Sequence, residues 1–359
     1  MSVDENGQSG VTVGRDTAEV EIAGRKSDHL QIVLSGAGHA HAVTTGFERI
    51  RFEHCALPEC NYDEIDLSVT FLGRRLRAPL LISSMTGGPQ RAADINQRLA
   101  EAAEAHQIAF AVGSQRIALE GGPDNGIGRA IRRAAPTIPV YANFGAAQLG
   151  LGYGRDAAMR AVEMIGADAM IIHLNPLQEA VQTGGDHNWS GLLRRIEALA
   201  RDLPVPVIVK EVGFGISARL TLQLEGAGVA AVDIAGAGGT NWALVEGLRA
   251  VRERDGAVAK AFADWGIPTA RALVDARAAC PNLPLIGSGG IKSGVDVAKA
   301  IRVGADLVGQ AAGVLSAATV SAEAAHAAID ATIAQLRTAC FCTGSVSLGA
   351  LRTAPLIDG

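Results

Sequence analysis

From residue 78 onward, short runs of Val, Ile, Leu and Ala alternate with stretches whose apolar residues recur every three or four positions. The runs are APLLIS (78–83), AFAVG (109–113), PVYANF (139–144), ADAMIIH (167–173), PVIVKEV (206–212), AAVDIAG (230–236), PLIGSGG (284–290) and ADLVGQ (305–310). Each is strand-sized and apolar at consecutive positions, as expected of parallel strands buried on both faces. Between them, AADINQRLAEAAEAHQ and GVDVAKAIRVG read as helices, and Gly166, Gly228 and Gly304 stand where helices end. Eight βα units in series predict an α/β fold, a (β/α)8 TIM barrel, with a doubly wound open sheet as the alternative.

A barrel of this type takes about 250 residues, and the span from Pro79 to Leu336 supplies them. Residues 1–24 read as a flexible tail, 25–77 as an N-terminal extension covering one barrel end, and 78–359 as the barrel with a C-terminal helical segment. The stretch between the sixth strand and Pro268 is longer than a plain connection and predicts an extra helix. Beyond the βα alternation no internal repeat is evident.

Composition narrows the function. The net charge is −5 with no long basic run, which argues against nucleic acid as a partner. No apolar stretch approaches the 18 or so residues of a membrane span, and the polar, acidic N-terminus is unlike a signal peptide. The five cysteines form no CxxC pair or metal-finger spacing, so reduced thiols in the cytoplasm are the simplest reading.

In a barrel of this kind chemistry collects at the carboxyl ends of the strands. Those ends read SSMTGG (83–88), GSQR (113–116), NFGA (143–146), HLNPLQE (173–179), KEVGFGIS (210–217), GAGGTNW (236–242), GSGGIKSG (287–294) and GQAAG (309–313). HLNPLQE places an imidazole, two amides and a carboxylate within seven residues. A single hard oxygen ligand, Glu179, among neutral hydrogen-bonding groups suits Mg²⁺ shared with a phosphate-bearing substrate better than zinc; a polar loop with a capping role is the plain alternative. GSGGIKSG followed by GQAAG lets backbone N–H groups approach a phosphate at a helix N-terminus, though Ser293 can equally cap a helix beside a tight turn. A phosphate there, with Lys210 across the barrel, is what an FMN site needs. Lys210 can compensate an anionic flavin, while Asn143, Ser114 and Thr86 bond its polar edge; Lys210 can also be half of a structural ion pair. Arg116 suits bidentate phosphate contact. Arg25 and Lys26, beside the tail, are either solvated or able to close over an anionic substrate. His39 and His41 read as part of a loop with no ligand role.

With these motifs in place, the chain resembles the type 2, FMN-dependent isopentenyl diphosphate isomerases. The likeness runs from Arg25 to about Leu351 and rests on RKSDHL, SSMTGG, VGSQR, NFGA, HLNPLQE, VKEVGFGIS, AGGTNW, DWGIPT (264–269), SGGIKSG and CFCTGS in that order. It implies reversible interconversion of isopentenyl and dimethylallyl diphosphate in isoprenoid biosynthesis, with FMN kept reduced by NADPH, with Mg²⁺, and in a tetramer or octamer. Carried over by motif, Arg25, Lys26, His29, Ser114, Gln115, Arg116, Asn175 and Gln178 are implied substrate contacts and Glu179 the metal ligand. Ser84, Met85, Thr86, Ser114, Asn143, Lys210, Thr240, Gly289, Gly290, Ile291, Lys292, Ala311 and Ala312 are implied FMN contacts. Gln178, Lys210 and His173 are implied at the reacting atoms. Two positions depart from the family pattern: Asn241 stands where serine is commoner, and Lys292 where arginine is frequent.

Allylic isomerisation adds a proton at one carbon and removes another two bonds away, and an alkene is a very weak base. The strand ends hold few suitable protein acids, so the expectation is that reduced FMN shuttles the proton through its N5 while the protein supplies geometry and electrostatics. Two other readings compete. A flavin oxidoreductase for 2-hydroxy acids needs a His-Arg pair at the strand ends that no Gly-rich loop here carries; a non-catalytic flavin-binding barrel is the other.

Overall fold

A computed structural model of the chain describes residues 28–39, 42–84, 90–122 and 126–357. Eight strands form one closed, all-parallel barrel: β3 (Leu80–Ile82), β4 (Ala109–Ala111), β5 (Val140–Gly145), β6 (Ala169–Leu174), β7 (Val207–Glu211), β8 (Ala231–Asp233), β9 (Leu285–Gly287) and β10 (Leu307–Gln310), with β10 pairing back onto β3. Six of the strands lie within their apolar runs, and β5 and β6 each extend one residue past theirs, to Gly145 and Leu174. Their double-sided burial explains the consecutive pattern. In β6, Ala169 and Ile171 join the barrel interior with Leu81, Tyr141, Ile208 and Leu307, while Met170 and Ile172 join the layer packed under the helices.

The N-terminal extension serves both ends of the barrel rather than one. Its first described segment, residues 28–35, is helical and lies at the mouth, where His29 meets Glu246. The chain then descends the side, where the Phe47 carbonyl accepts from Lys299 Nζ at 2.8 Å. Below, β1 (Val69–Phe71) and β2 (Arg74–Leu76) form a hairpin that drives Phe71 and Leu76 into the interior core. Phe71 is 2% exposed, and burying a side chain of that size contributes about 2–3 kcal/mol. The two-residue turn takes positive φ at both Leu72 (46°) and Gly73 (76°), the geometry that matches strand twist in tight hairpins. One end of the barrel is plugged and the other is open.

The stretch after β8 carries two helices, Trp242–Arg249 and Glu253–Lys260, where one extra was expected. Asn241 ties them together: its side-chain oxygen accepts from Leu244 N at 3.0 Å, and its amide donates to the carbonyls of Phe262 and Ala263 at 3.0 and 2.9 Å. Serine has one hydroxyl and cannot do all three.

The structure also corrects the view that nothing repeats. At the plugged end, Arg132 donates to the carbonyls of Gly166 (3.2 and 2.6 Å), Ala135 (3.1 Å) and Ile138 (2.9 Å) and to Asp168 (2.7 Å). Arg277 donates to the carbonyls of Gly304 (3.0 and 2.8 Å), Cys280 (3.3 Å), Pro281 (2.8 Å) and Leu283 (2.9 Å) and to Asp306 (2.5 Å). Each aspartate accepts a strand N–H at 2.9 Å, from Val140 and Leu285 respectively. RRAAPTIPV (132–140) with GAD (166–168) and RAACPNLPL (277–285) with GAD (304–306) build the same clamp twice. All five cysteines are free thiols. No helix among the described residues is long and apolar enough to cross a membrane.

Candidate active site

The open end of the barrel holds a cavity of about 420 Å³, and all eight strand ends contribute to its wall. Its two sides differ in chemistry.

On one side the wall is main chain. Gly239, from the end of β8, faces Gly289 and Gly290 from β9, and Ala311 to Gly313 follow β10. A Cβ on Gly289 would lie 2.2 Å from the Gly236 carbonyl oxygen, and one on Gly290 2.7 Å from that of Gly238. Both residues hold positive φ, 103° and 71°, so only glycine fits without strain. Ser293 then caps helix Gly294–Arg302 in a capping box with Asp296, leaving the glycine turn at a helix N-terminus. Ser83 and Ser84, after β3, carry buried hydroxyls with no hydrogen-bond partner among the described residues and face the same space. Backbone amides, two orphan hydroxyls and a helix terminus are a donor set that fits the phosphate and polar edge of FMN. Lys210, Asn143, Ser114, Thr240, Ile291 and Lys292 also line the cavity. Of the two readings posed from sequence, the capping by Ser293 is present, and it leaves the glycine turn open to the cavity.

Lys210 forms the ion pair that was its structural reading. It faces the cavity, and its Nζ lies 3.3 Å from Asp233 Oδ2. Asp233 is fully buried and accepts from Ser288 Oγ at 2.6 Å. Next to it, Glu211 accepts from the N–H groups of Val212, Gly213, Phe214 and Gly215 at 2.6, 2.6, 2.5 and 3.2 Å, which folds the GFG turn. Burial pushes the Glu211 carboxyl up to about 7 against the pull of those donors.

The other side is a polar cluster built at the end of β6. Pro176 opens helix Pro176–Val181, whose first turn turns Gln178 and Glu179 toward Asn175. Asn175 donates to Glu179 Oε1 at 2.9 Å and to Gln178 Oε1 at 3.2 Å. Glu179 Oε2 accepts from Asp186 N at 2.8 Å and Gln182 Nε2 at 3.4 Å. His173 Nδ1 lies 2.7 Å from Asn143 Oδ1, so with that amide orientation the proton sits on Nδ1. Arg116 lines the wall with Nε on Glu120 (3.0 Å) and Nη1 on Asp186 (3.2 Å). Among the described residues no group of three His, Cys, Asp or Glu side chains can cage a metal. One carboxylate with neighbouring amides therefore fits Mg²⁺ only as an ion shared with substrate phosphates, the way this cation is usually held.

The N-terminal helix closes the side of the cavity. His29 Nε2 lies 2.9 Å from Glu246 Oε1 and its ring meets Trp242 edge-on at 5.3 Å. Glu246 also accepts from Gln178 Nε2 at 2.8 Å and Arg249 Nη1 at 3.0 Å. Burial alone would raise its carboxyl; the His29, Gln178 and Arg249 donors overcome this and hold it below the usual range. His39, expected in a loop without a role, bridges Thr240 and lines the cavity.

One expected contact is corrected. Gln115 is fully buried and turned away from the cavity, its amide donating to the Ala161 carbonyl at 3.0 Å and accepting from Asn143 N at 2.9 Å. Arg25, Lys26, Met85, Thr86 and His41 lie outside the described residues. Sequence reasoning missed Glu246, Asp233, Asp186, Gln148 and Trp242. Only Glu246 left a signal, an acid one turn from Trp242 on the buried face of its helix with Val245.

Comparison with known proteins identifies the family and the fold. Residues 27–119 and 163–357 match the family model described as FMN-dependent dehydrogenase. A Stutzerimonas stutzeri protein named isopentenyl-diphosphate delta-isomerase is 62% identical, covering 94% of this chain and 97% of its own. Proteins of the same name from Xanthobacter autotrophicus and a Nostoc species are 61% and 49% identical, covering 92% and 94% of this chain and 96% and 95% of theirs. Two mandelate oxidase structures, one a mutant with a monooxide FMN adduct and one with (S)-2-phenylpropionate, superpose with TM-scores of 0.63 and 0.64 at 16% and 17% identity. They cover 96% and 95% of this chain and 99% and 98% of theirs. At that identity the likeness is one of fold.

Proposed function

The chain belongs to the FMN-dependent dehydrogenase family and, within it, to the type 2 isopentenyl-diphosphate delta-isomerases, and we propose that it interconverts isopentenyl and dimethylallyl diphosphate using reduced FMN, NADPH as reductant and Mg²⁺. One observation carries the reading: a single cavity joins a glycine cradle at the ends of β8 to β10 to a carboxylate, amide and guanidinium cluster at the ends of β4 and β6.

Ser84, Asn143, Thr240, Gly289 to Lys292, Ala311 and Ala312 would hold FMN, with Lys210 offering it a positive charge. When bound and reduced, the flavin supplies the acid and base for the allylic proton transfers. The protein's own residues do the rest. Arg116, Asn175 and His29 bind the anionic head, and Glu179 shares Mg²⁺ with it. Gln178 is held at both ends, by Glu246 on its nitrogen and Asn175 on its oxygen, so its amide cannot rotate while the alkene lies against it. Orientation of this kind is worth several kcal/mol of barrier. Leu30, Val33, Trp242 and Leu315 give the five-carbon tail an apolar wall and exclude water.

The test is to incubate purified, FMN-loaded protein with isopentenyl diphosphate, Mg²⁺ and NADPH under anaerobic conditions and follow dimethylallyl diphosphate. Conversion that stops when 5-deaza-FMN replaces FMN is the expected result. A reduced, flavin-loaded protein that produces none overturns the proposal, as does flavin reduction by a 2-hydroxy acid in its place.

A further inference from the structure

A diphosphate held by Arg116 and by a metal on Glu179 requires those two groups to stand at a fixed separation. Asp186 touches both. Its main-chain N–H donates to Glu179 Oε2 at 2.8 Å, and its carboxylate accepts from Arg116 Nη1 at 3.2 Å and from Gln148 Nε2 at 3.4 Å. We infer that Asp186 is a positioning residue that sets the spacing between the Arg116 guanidinium and the Glu179 carboxylate, and that this spacing selects a metal-chelated diphosphate over a single phosphate. The inference rests on the isomerase reading above.

The loop bearing Asp186 is strapped to the helix that bears Glu179. Gly185 N donates to the Gln182 carbonyl at 3.1 Å, and a Cβ on Gly185 would lie 2.0 Å from the Glu179 carbonyl oxygen, so the loop lies flat on the helix. His187 Nε2 lies 3.1 Å from the same oxygen, and Trp189 Nε1 donates to the Asp186 carbonyl at 2.8 Å. The Asp186 carboxylate is thus fixed relative to Glu179.

Among the described residues Arg116 has one other carboxylate anchor. That is Glu120, whose side chain is 42% exposed against 24% for Asp186, and an exposed ion pair positions weakly. Among the described residues two of the five guanidinium N–H groups are committed to these carboxylates, which leaves donors for an anionic ligand. A ligand with two linked phosphoryl groups can span from the guanidinium to a metal on Glu179. A single phosphate has fewer oxygens to divide between them.

The experiment uses FMN-loaded enzyme with Mg²⁺ and compares wild type with Asp186→Ala and Asp186→Asn. Inorganic diphosphate and inorganic phosphate serve as competitive inhibitors. For the alanine variant, the KM for isopentenyl diphosphate and the inhibition constant of diphosphate rise about tenfold or more, while kcat and the phosphate constant stay within about threefold. The asparagine variant keeps an acceptor for Arg116 and falls between the two; it carries the test if the alanine variant does not fold. Diphosphate and phosphate constants that move together, or that both stay at wild-type values in a flavin-loaded variant, overturn the inference. Wild-type enzyme that neither isomerises the substrate nor binds diphosphate overturns the isomerase reading instead.

Discussion

The strand pairs β5–β6 and β9–β10 stand on opposite sides of the barrel, and they agree at one end while differing at the other. At the plugged end each is tied by one arginine that gathers loop carbonyls and an aspartate from a Gly-Ala-Asp turn. That end has only to satisfy backbone groups left without partners where helices stop and strands begin, and one arrangement solves the problem twice. At the mouth, β5–β6 presents Asn143, His173, Asn175, Gln178 and Glu179, whereas β9–β10 presents mostly glycines and alanines, with Ser288, Ile291, Lys292 and Leu315 among them. One side offers side chains that grip and orient; the other clears them away so that main chain can approach a ligand. Shape and chemistry are thus separated along the same strands, which is how a barrel varies its activity without changing its frame.

The sharpest break of this contrast is at Glu179. Glu179→Gln should lower magnesium-dependent isomerisation about 10³-fold, since a metal's charge stabilisation is worth several kcal/mol. The purified variant should still be yellow, because the cradle is on the other side. A colourless variant would mean that the two sides of the mouth fold as one unit and that Glu179 is structural.

The reciprocal change is Gly289→Ala. A methyl group there meets a main-chain oxygen and forces an unfavourable φ, so FMN should bind about 100-fold more weakly, measured by flavin fluorescence. Its counterpart on β5, Gly145→Ala, would crowd only the side-chain ends of Gln148 and His173, at 2.5 and 2.8 Å. That variant should keep its flavin and lose activity. If both variants lose flavin equally, the division between cradle and grip is wrong.

At the plugged end the comparison predicts equality. Arg132→Ala and Arg277→Ala each remove charge-assisted bonds to several carbonyls at partly exposed sites and should each cost about 2 kcal/mol of stability, read from urea unfolding. Beside its strand N–H, Asp168 then keeps an ion pair with Arg74 at 3.7 Å, while Asp306 keeps one with Arg352 at 2.8 Å. The Arg132 variant should therefore be slightly the weaker. Turnover per folded molecule should be unchanged in both, and a fall in turnover would show that the frame does more than hold shape.

How much of this was legible follows from where each residue gets its neighbours. The eight strands were readable because burial on two faces leaves uninterrupted apolar runs, and the mouth was readable because polar and glycine patches fall at their ends. Gln115 was misread because GSQR looks like three consecutive site residues. After β4 the chain turns into helix Arg116–Leu119, with Gln115 as its N-cap residue (φ −85°, ψ 8°). This leaves Ser114 and Arg116 on the cavity, while the Gln115 amide bonds the Ala161 carbonyl and Asn143 N behind it. Glu246 and Asp186 reach the site through tertiary contacts with Gln178 and Arg116, far from them in sequence, and the acid on the buried helix face at Glu246 is the one local trace of either meeting. The doubled clamp did leave a trace in two equal-length segments followed by Gly-Ala-Asp, masked by the βα alternation in which it is embedded.

The smallest expected effect concerns the helices that β8 sends over the mouth. Asn241→Ser keeps a hydroxyl able to cap helix Trp242–Arg249 but removes both donors to the Phe262 and Ala263 carbonyls. Two neutral hydrogen bonds at a buried site, one of them partly replaced by water, are worth about 1–2 kcal/mol. The loss should be local, appearing as faster amide exchange across 253–263 with little change at Arg132 or Arg277. His29 and Gln178 both bond Glu246 on the capped helix, so its anchoring also bears on the grip side of the mouth. A serine variant with unchanged exchange there would mean that helix Glu253–Lys260 is held by packing alone, and that Asn241 adds nothing beyond a cap.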